Sequence, residues 1–222
     1  MVDLNFSFVL GYTNVLLAGL LTSIQFVSVA IVLGLSLGFV LSLMRSFGGT
    51  ILGMIATVFV EVFRGTPVLV LLFWFFFCLP VFFGTDLGGF ASAVLALSLY
   101  FAAITSETFR SSLKSIEPAQ LDACVALGLG AGTRIFRVIL PQAVLRAIPN
   151  LSSNVVSLFK ESALVSAVGL ADLMYVGQNI ANKEARPIEI LTVVALIYFA
   201  CAFPLTRIAA VIEKKLLKVI KV

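Results

Sequence analysis

Histidine is absent from this 222-residue chain, and with it go the usual general base, the commonest zinc ligand and any Ser-His or Cys-His pair. Charge is nearly as scarce. Asp, Glu, Lys and Arg together make up 12% of the residues, about half their share in an ordinary soluble domain. No GxxxxGK[ST] phosphate loop occurs, and Gly128-Leu129-Gly130-Ala131-Gly132 lacks the preceding strand that a nucleotide fingerprint requires. The three cysteines, Cys78, Cys124 and Cys201, follow no CxxC or ligand spacing. They read as reduced packing residues rather than a disulfide framework or a metal site. The expectation is a chain with no ATP site, metal centre or cofactor of its own.

What fills the chain instead is apolar. Its 61% hydrophobic content and mean hydropathy of +1.15 exclude a soluble globule. A helix crossing the hydrocarbon core needs about 20 apolar residues, because each rises about 1.5 Å against about 30 Å of thickness. Five stretches qualify. Val15 to Met44 carries no charge and closes at Arg45. The second opens at Gly49, is interrupted by Glu61 and Arg64, and continues from Pro67 to Phe83. Gly65-Thr66-Pro67 reads as a helix restart capped by Thr66, and Pro80 and Gly84 as its end. The third runs from Leu87 to Ser106, the fourth from about Leu151 to Val176 with a break at Lys160 and Glu161, and the fifth from about Ile188 to Ile212.

Between the third and fourth spans, Glu107 to Asn150 mixes charges with apolar residues. Pro118, the Gly128 to Gly132 cluster and Pro141 divide it into short helices near Ala119 to Leu127 and Thr133 to Ile139. The predicted fold is an all-α membrane protein with five transmembrane helices and one amphipathic loop. Met1 to Asn14 has no basic residue and carries Asp3, unlike a cleaved signal peptide, so the first span is expected to be retained.

Cation placement sets the orientation. With the N-terminus outside and five crossings, Arg45, the loop bearing Arg110 to Arg146, and Lys214, Lys215, Lys218 and Lys221 all face the cytoplasm, leaving Lys183 and Arg186 outside. The opposite orientation would reverse the positive-inside rule. Residues 1–14 then form an external segment, 15–212 the membrane domain with its cytoplasmic loop at 117–141, and 213–222 a basic cytoplasmic tail.

The loop carries the most specific signal. Asp122-Ala123-Cys124, then Gly128, then Val138-Ile139-Leu140-Pro141 resembles the EAA loop of type I ABC importer permeases, with Gly128 and Pro141 at the family spacing. Asp122 stands for Glu, Cys124 for the second Ala and Val138 for Ile. Physically, a short helix on the inner face with apolar knobs and a charged rim can dock in a cleft of a soluble partner and transmit its closure. An ordinary interfacial amphipathic helix is the plainer reading of the same composition. Three further segments are similar to the polar amino acid permeases for histidine, glutamate, glutamine, arginine and opines: Glu61 to Pro67, Ser106 to Arg110, and Lys160 to Ser166.

That resemblance implies an ABC transporter permease subunit in the bacterial inner membrane, multi-pass and dimeric with an identical or related second permease. It also implies an ABC ATPase dimer that binds ATP and Mg, an external amino-acid-binding protein, and an amino-acid substrate passing through a lipid-embedded domain without nucleic acid. Asp122, Ala123, Gly128, Leu140 and Pro141 become the ATPase-coupling candidates. Charges inside apolar spans are the candidates for the substrate path, since each costs at least ~2.5 kcal/mol in lipid. Glu161 is expected to receive an ammonium or a cationic side chain, with Lys160 beside it and Ser162 and Tyr100 supplying hydrogen bonds. Alternatively, Lys160 snorkels to the inner face and Glu161 makes an interhelical salt bridge. Arg64, three residues from Glu61, is expected to form a local ion pair with it, substrate contact being the second reading. A passive channel, a permease for another small solute and an intramembrane hydrolase remain as rivals, the last made remote by the missing histidines.

Overall fold

The computed structural model describes residues 5–84 and 87–220, with side chains through 215. Asp3 and Lys221, and the Lys218 side chain, lie outside the described residues. Every described element is a helix. A 3-10 turn, Ser7–Tyr12, leads into α1 (Thr13–Phe47), a 35-residue helix with no acidic residue and its first basic one, Arg45, in the last turn. Gly49 takes φ 69°, a conformation that glycine adopts without steric penalty, and turns the chain into α2 (Gly49–Gly65). Next come α3 (Val68–Phe83), α4 (Gly88–Lys114), α5 (Pro118–Ala126), α6 (Ala131–Val168), α7 (Leu173–Glu184) and α8 (Pro187–Ile220).

Three stretches are long and apolar enough to cross a bilayer singly: Ser7–Phe47, Gly88–Lys114 and Pro187–Lys215. Two pairs qualify only when taken together, α2 with α3 across a 103° bend and α6 with α7 across a 51° bend. The spans therefore number three, or five if each bent pair is one crossing.

Helix α4 is the axis of the fold. Its Ala93, Ala96, Leu97, Phe101, Ala102 and Ala103 are buried, and α1, α3 and α6 close on it with Phe26, Ala30, Leu72 and Leu158. In lipid the hydrophobic effect does not drive helices together, so close packing through small residues has to. Gly38 of α1 shows how tight the fit is, since a Cβ there would lie 2.1 Å from Thr105 Oγ1 on α4. Large apolar side chains such as Leu17, Leu21 and Val32 of α1 and Leu196, Phe199 and Ile208 of α8 point outward, as suits a surface solvated by lipid.

Several local expectations are corrected. Pro80 and Pro141 do not end helices, because each follows a π-helical stretch, Trp74–Cys78 and Arg134–Ile139, and the helix continues through it. A proline loses its bond to residue i−4 and crowds that carbonyl. A widened π turn shifts the partner and makes room for the ring. Of the two expected ends of α3, only Gly84 serves, at φ 64°. Thr66 does not cap α3 either, for its hydroxyl donates back to the Val62 carbonyl at 2.8 Å and Pro67 occupies the cap position.

The third and fourth spans also have different limits. Helix α4 runs past Ser106 to Lys114, and the stretch beginning at Ala131 is continuous with the fourth span, so there is no boundary near Leu151. Lys160 and Glu161 do not break it. The helix tightens to 3-10 geometry over Ser162–Val168 and bends only before Leu173. Finally, Gly34-Leu35-Ser36-Leu37-Gly38 has the spelling of a nucleophile elbow, but it lies inside α1. Ser36 there bonds Val32 O at 2.8 Å, without the strand-to-helix turn that such a site needs.

Candidate functional site

Polar residues on α4 and α6 meet in a seam. On α4, Tyr100, Ile104, Glu107, Thr108 and Ser111 recur at helical spacing, and α6 offers Asn154, Ser157 and Glu161 at steps of three and four. One depression is bounded by Tyr100, Ser157 and Glu161, and a second by Arg64, Thr108 and Ser111. The two share Ile104 and Asn154, so they form one strip. Tyr100 donates to Glu161 Oε1 at 3.3 Å, and Asn154 Nδ2 donates to Thr108 Oγ1 at 3.0 Å. Glu161 makes no ion pair among the described residues. A half-buried carboxylate whose hydrogen bond is long is an acceptor in want of a cationic donor.

At one end of the seam sits an ion cluster. Glu107 accepts from Arg45 Nη1 at 2.8 Å and from Arg110, and lies 4.0 Å from Arg64 Nη1. Arg45, its side chain only 7% exposed, also bonds Thr57 at 3.2 Å and lies 4.0 Å from Glu61. This corrects the local Glu61–Arg64 pair. Although three residues apart on one helix, the two turn to charges on α1 and α4, because Glu107 gathers several cations at once. Glu107 and Arg110, at the same spacing toward the end of α4, are paired.

The other candidates separate. Lys160 is exposed in a different groove, with Thr206 and Glu213 of α8, which adjoins the Glu161 depression at Ser157. Ser162 is fully buried and bonds the Phe159 carbonyl at 2.7 Å, which keeps it out of the seam.

The loop candidates fall on a projecting hairpin of helices. Pro118 occupies the first turn of α5, where its missing N–H costs nothing. Leu129 N closes on Cys124 O at 3.0 Å and Gly128 takes φ 69°, a left-handed end to the helix. Asp122, Ala123, Val125 and Leu127 are exposed, whereas Cys124 is buried and Leu121 packs inward on Ile116 and Ile139. Phe136 is also exposed, at 70%. Leu140 and Pro141 lie within α6, directly after its π-helical stretch, with Leu140 half-buried and Pro141 exposed. Arg146 ties the base to the Ser115 carbonyl.

One polar node had no forecast. Asp172, fully buried, caps α7 by accepting from Tyr175 N at 2.8 Å and takes the Tyr198 hydroxyl at 3.3 Å, while Leu173 N donates to Ser23 Oγ at 3.2 Å. An Asp just before an apolar helical run was the available signal. Asn154 and Thr108 are also not singled out as site residues by the sequence. Uncharged residues inside a span stand out only once a second helix supplies the partner.

Comparison with known proteins gives a consistent picture. The family described as binding-protein-dependent transport system inner membrane component matches residues 30–218. The chain is similar to the arginine transport system permease protein of Bacillus subtilis, 35% identical over 96% of this chain and 98% of that one. It is also similar to a probable amino-acid ABC transporter permease of Vibrio harveyi, 33% identical over 96% and 97%. A crystal structure of an amino acid ABC transporter with histidines superposes with a TM-score of 0.91 at 28% identity, over 96% of this chain and 99% of that one.

Proposed function

This chain belongs to the family of binding-protein-dependent transport system inner membrane components, and from that premise we propose that it moves polar or charged L-amino acids into the cytoplasm as the permease of an ATP-driven importer. The reading has a bacterial inner-membrane protein with five crossings, the N-terminus outside and the C-terminus inside. The distribution of Lys and Arg supports that orientation. Arginine and amino-acid relatives of nearly equal length support the substrate class.

The observation that carries the substrate role is the Tyr100–Glu161 pair in a polar seam that continues through Asn154 and Thr108 toward Glu107. A substrate ammonium or guanidinium would find Glu161, and the arginine excess near Arg64 would favour its carboxylate. A second permease subunit would close the open side of the seam. Docking of Asp122, Ala123 and the Gly128 turn into an ATPase dimer, which binds ATP and Mg, would transmit closure through Leu140 and Pro141 along α6 to Glu161. The continuity of that helix from Ala131 to Val168 supports such a lever. An external binding protein would deliver the substrate.

The test is uptake by proteoliposomes holding this permease with its ATPase and binding protein. ATP-dependent accumulation of a labelled polar amino acid is expected, and ATP-independent flux that only equilibrates the label would replace this reading with a passive channel.

A further inference from the structure

A groove lies between the end of α1, the end of α4 and the inward side of α5; Arg45 and Arg110 there also belong to the ion cluster, while Lys114 and the apolar lining have no part in the transport reading. Arg110 and Lys114 form its rim, with the largely buried Arg45 also lining it, and Leu113, Leu121 and Ile139 contribute its apolar floor. Phe47 stands at the mouth, 45% exposed. We propose that this groove binds an anionic phospholipid, the phosphate on the cationic rim and the acyl region along the floor and past Phe47.

Three observations converge on an amphiphile of that sign. The first is charge. In and beside the groove Arg45, Arg64, Arg110 and Lys114 face Glu61 and Glu107, an excess of two cations. Lys114 makes no ion pair among the described residues and is exposed. The second is depth. Helix α4 has 27 residues, about 40 Å of rise, against about 40–45 Å for a bilayer with its headgroups. Its terminal Lys114 therefore reaches the phosphate layer. The third is the floor. A free anion gains nothing from Leu113, Leu121 and Ile139, whereas a lipid uses both halves of the site.

The groove is also distinct from the exposed side of α5. Leu121 packs inward with Ile116 and Ile139, while Asp122, Ala123 and Val125 face away. A lipid seated here would wedge between the corner joining α1 to α2 and the base of the loop.

The test uses the full chain purified with its partner subunits, titrated with phosphatidylglycerol or phosphatidylcholine in detergent and read by native mass spectrometry. Phosphatidylglycerol should be retained in preference to phosphatidylcholine, and K114Q should weaken that retention about five-fold, with K114E weakening it further. Lys114 is exposed and makes no ion pair among the described residues, so these variants should keep the wild-type melting temperature; L121W, which fills the floor, supplies an independent arm and should also expel the lipid. Equal retention of both lipids, or retention unchanged in K114E and L121W, would overturn the proposal. So would displacement by glycerol phosphate, which identifies a free-anion site, or loss of lipid whenever the ATPase binds, which identifies the ATPase as the occupant.

Discussion

Tyr100 on α4 donates its hydroxyl to Glu161 on α6 at 3.3 Å, joining the two helices at a carboxylate that makes no ion pair among the described residues. In a low-dielectric setting such a group is costly unless something charged visits it. Glu161→Gln keeps size and the hydrogen-bond acceptor but removes the charge. Uptake of a cationic amino acid should fall about ten-fold or more, on the scale of one charged hydrogen bond, and that of a neutral one should fall less. Parallel assays with labelled arginine and glutamine decide the matter, and equal losses would make the pair a structural clasp.

Loop geometry leads to a second expectation. Gly128 sits at φ 69°, with nothing within 4 Å of where a Cβ would stand. Asp tolerates left-handed backbone better than most residues, so Gly128→Asp should fold. Its added carboxylate would nonetheless occupy the surface proposed to meet the ATPase. The expected result is a normal melting temperature with ATP hydrolysis no longer yielding uptake. Normal coupling in that variant would sink the assignment of the loop.

Much of this architecture could be read from the sequence, for identifiable reasons. A charge-free run such as Val15 to Met44 leaves the backbone one way to satisfy its polar groups in lipid, so α1 was evident. The turn at Gly128 was evident because its spacing from Asp122 and Pro141 is local. What escaped depends on three dimensions. Arg64 belongs with Glu107 rather than Glu61 because α4 presents a carboxylate that several cations can reach. Ser162, next to Glu161 in sequence, faces the interior because the helix tightens there. Pro80 and Pro141 looked like stops because a π turn has no sequence signature comparable to proline's own.

The packing of α1 on α4 permits a stability test. A methyl on Gly38 would stand 2.1 Å from Thr105 Oγ1 and 2.8 Å from the Ala102 carbonyl. Overpacking of this kind costs about 1–3 kcal/mol. Gly38→Ala should therefore lower the melting temperature in detergent, and adding Thr105→Ala should restore only part of it, because the Ala102 backbone cannot yield. Full recovery in the double variant would mean that the side chain alone sets the spacing.

The ion cluster separates two glutamates that look equivalent in sequence. Glu61 is 61% exposed and reaches Arg45 only at 4.0 Å, so Glu61→Gln should cost within the ~0–1 kcal/mol of an exposed pair. Glu107 is 27% exposed and is the close partner of Arg45, itself 7% exposed, and of Arg110. Glu107→Gln leaves a buried guanidinium without its counter-charge. Breaking a fully buried pair costs about 3–5 kcal/mol, and partial exposure places this one toward the lower end. Melting curves of the two variants at low and high salt provide the check. Glu107→Gln should melt well below Glu61→Gln at both, because the contact around Arg45 is shielded from ions, whereas any effect at Glu61 should fade as salt rises. Matching curves would show that Arg45 draws its compensation from Glu61 and Thr57, and that Glu107 is not the centre of the cluster.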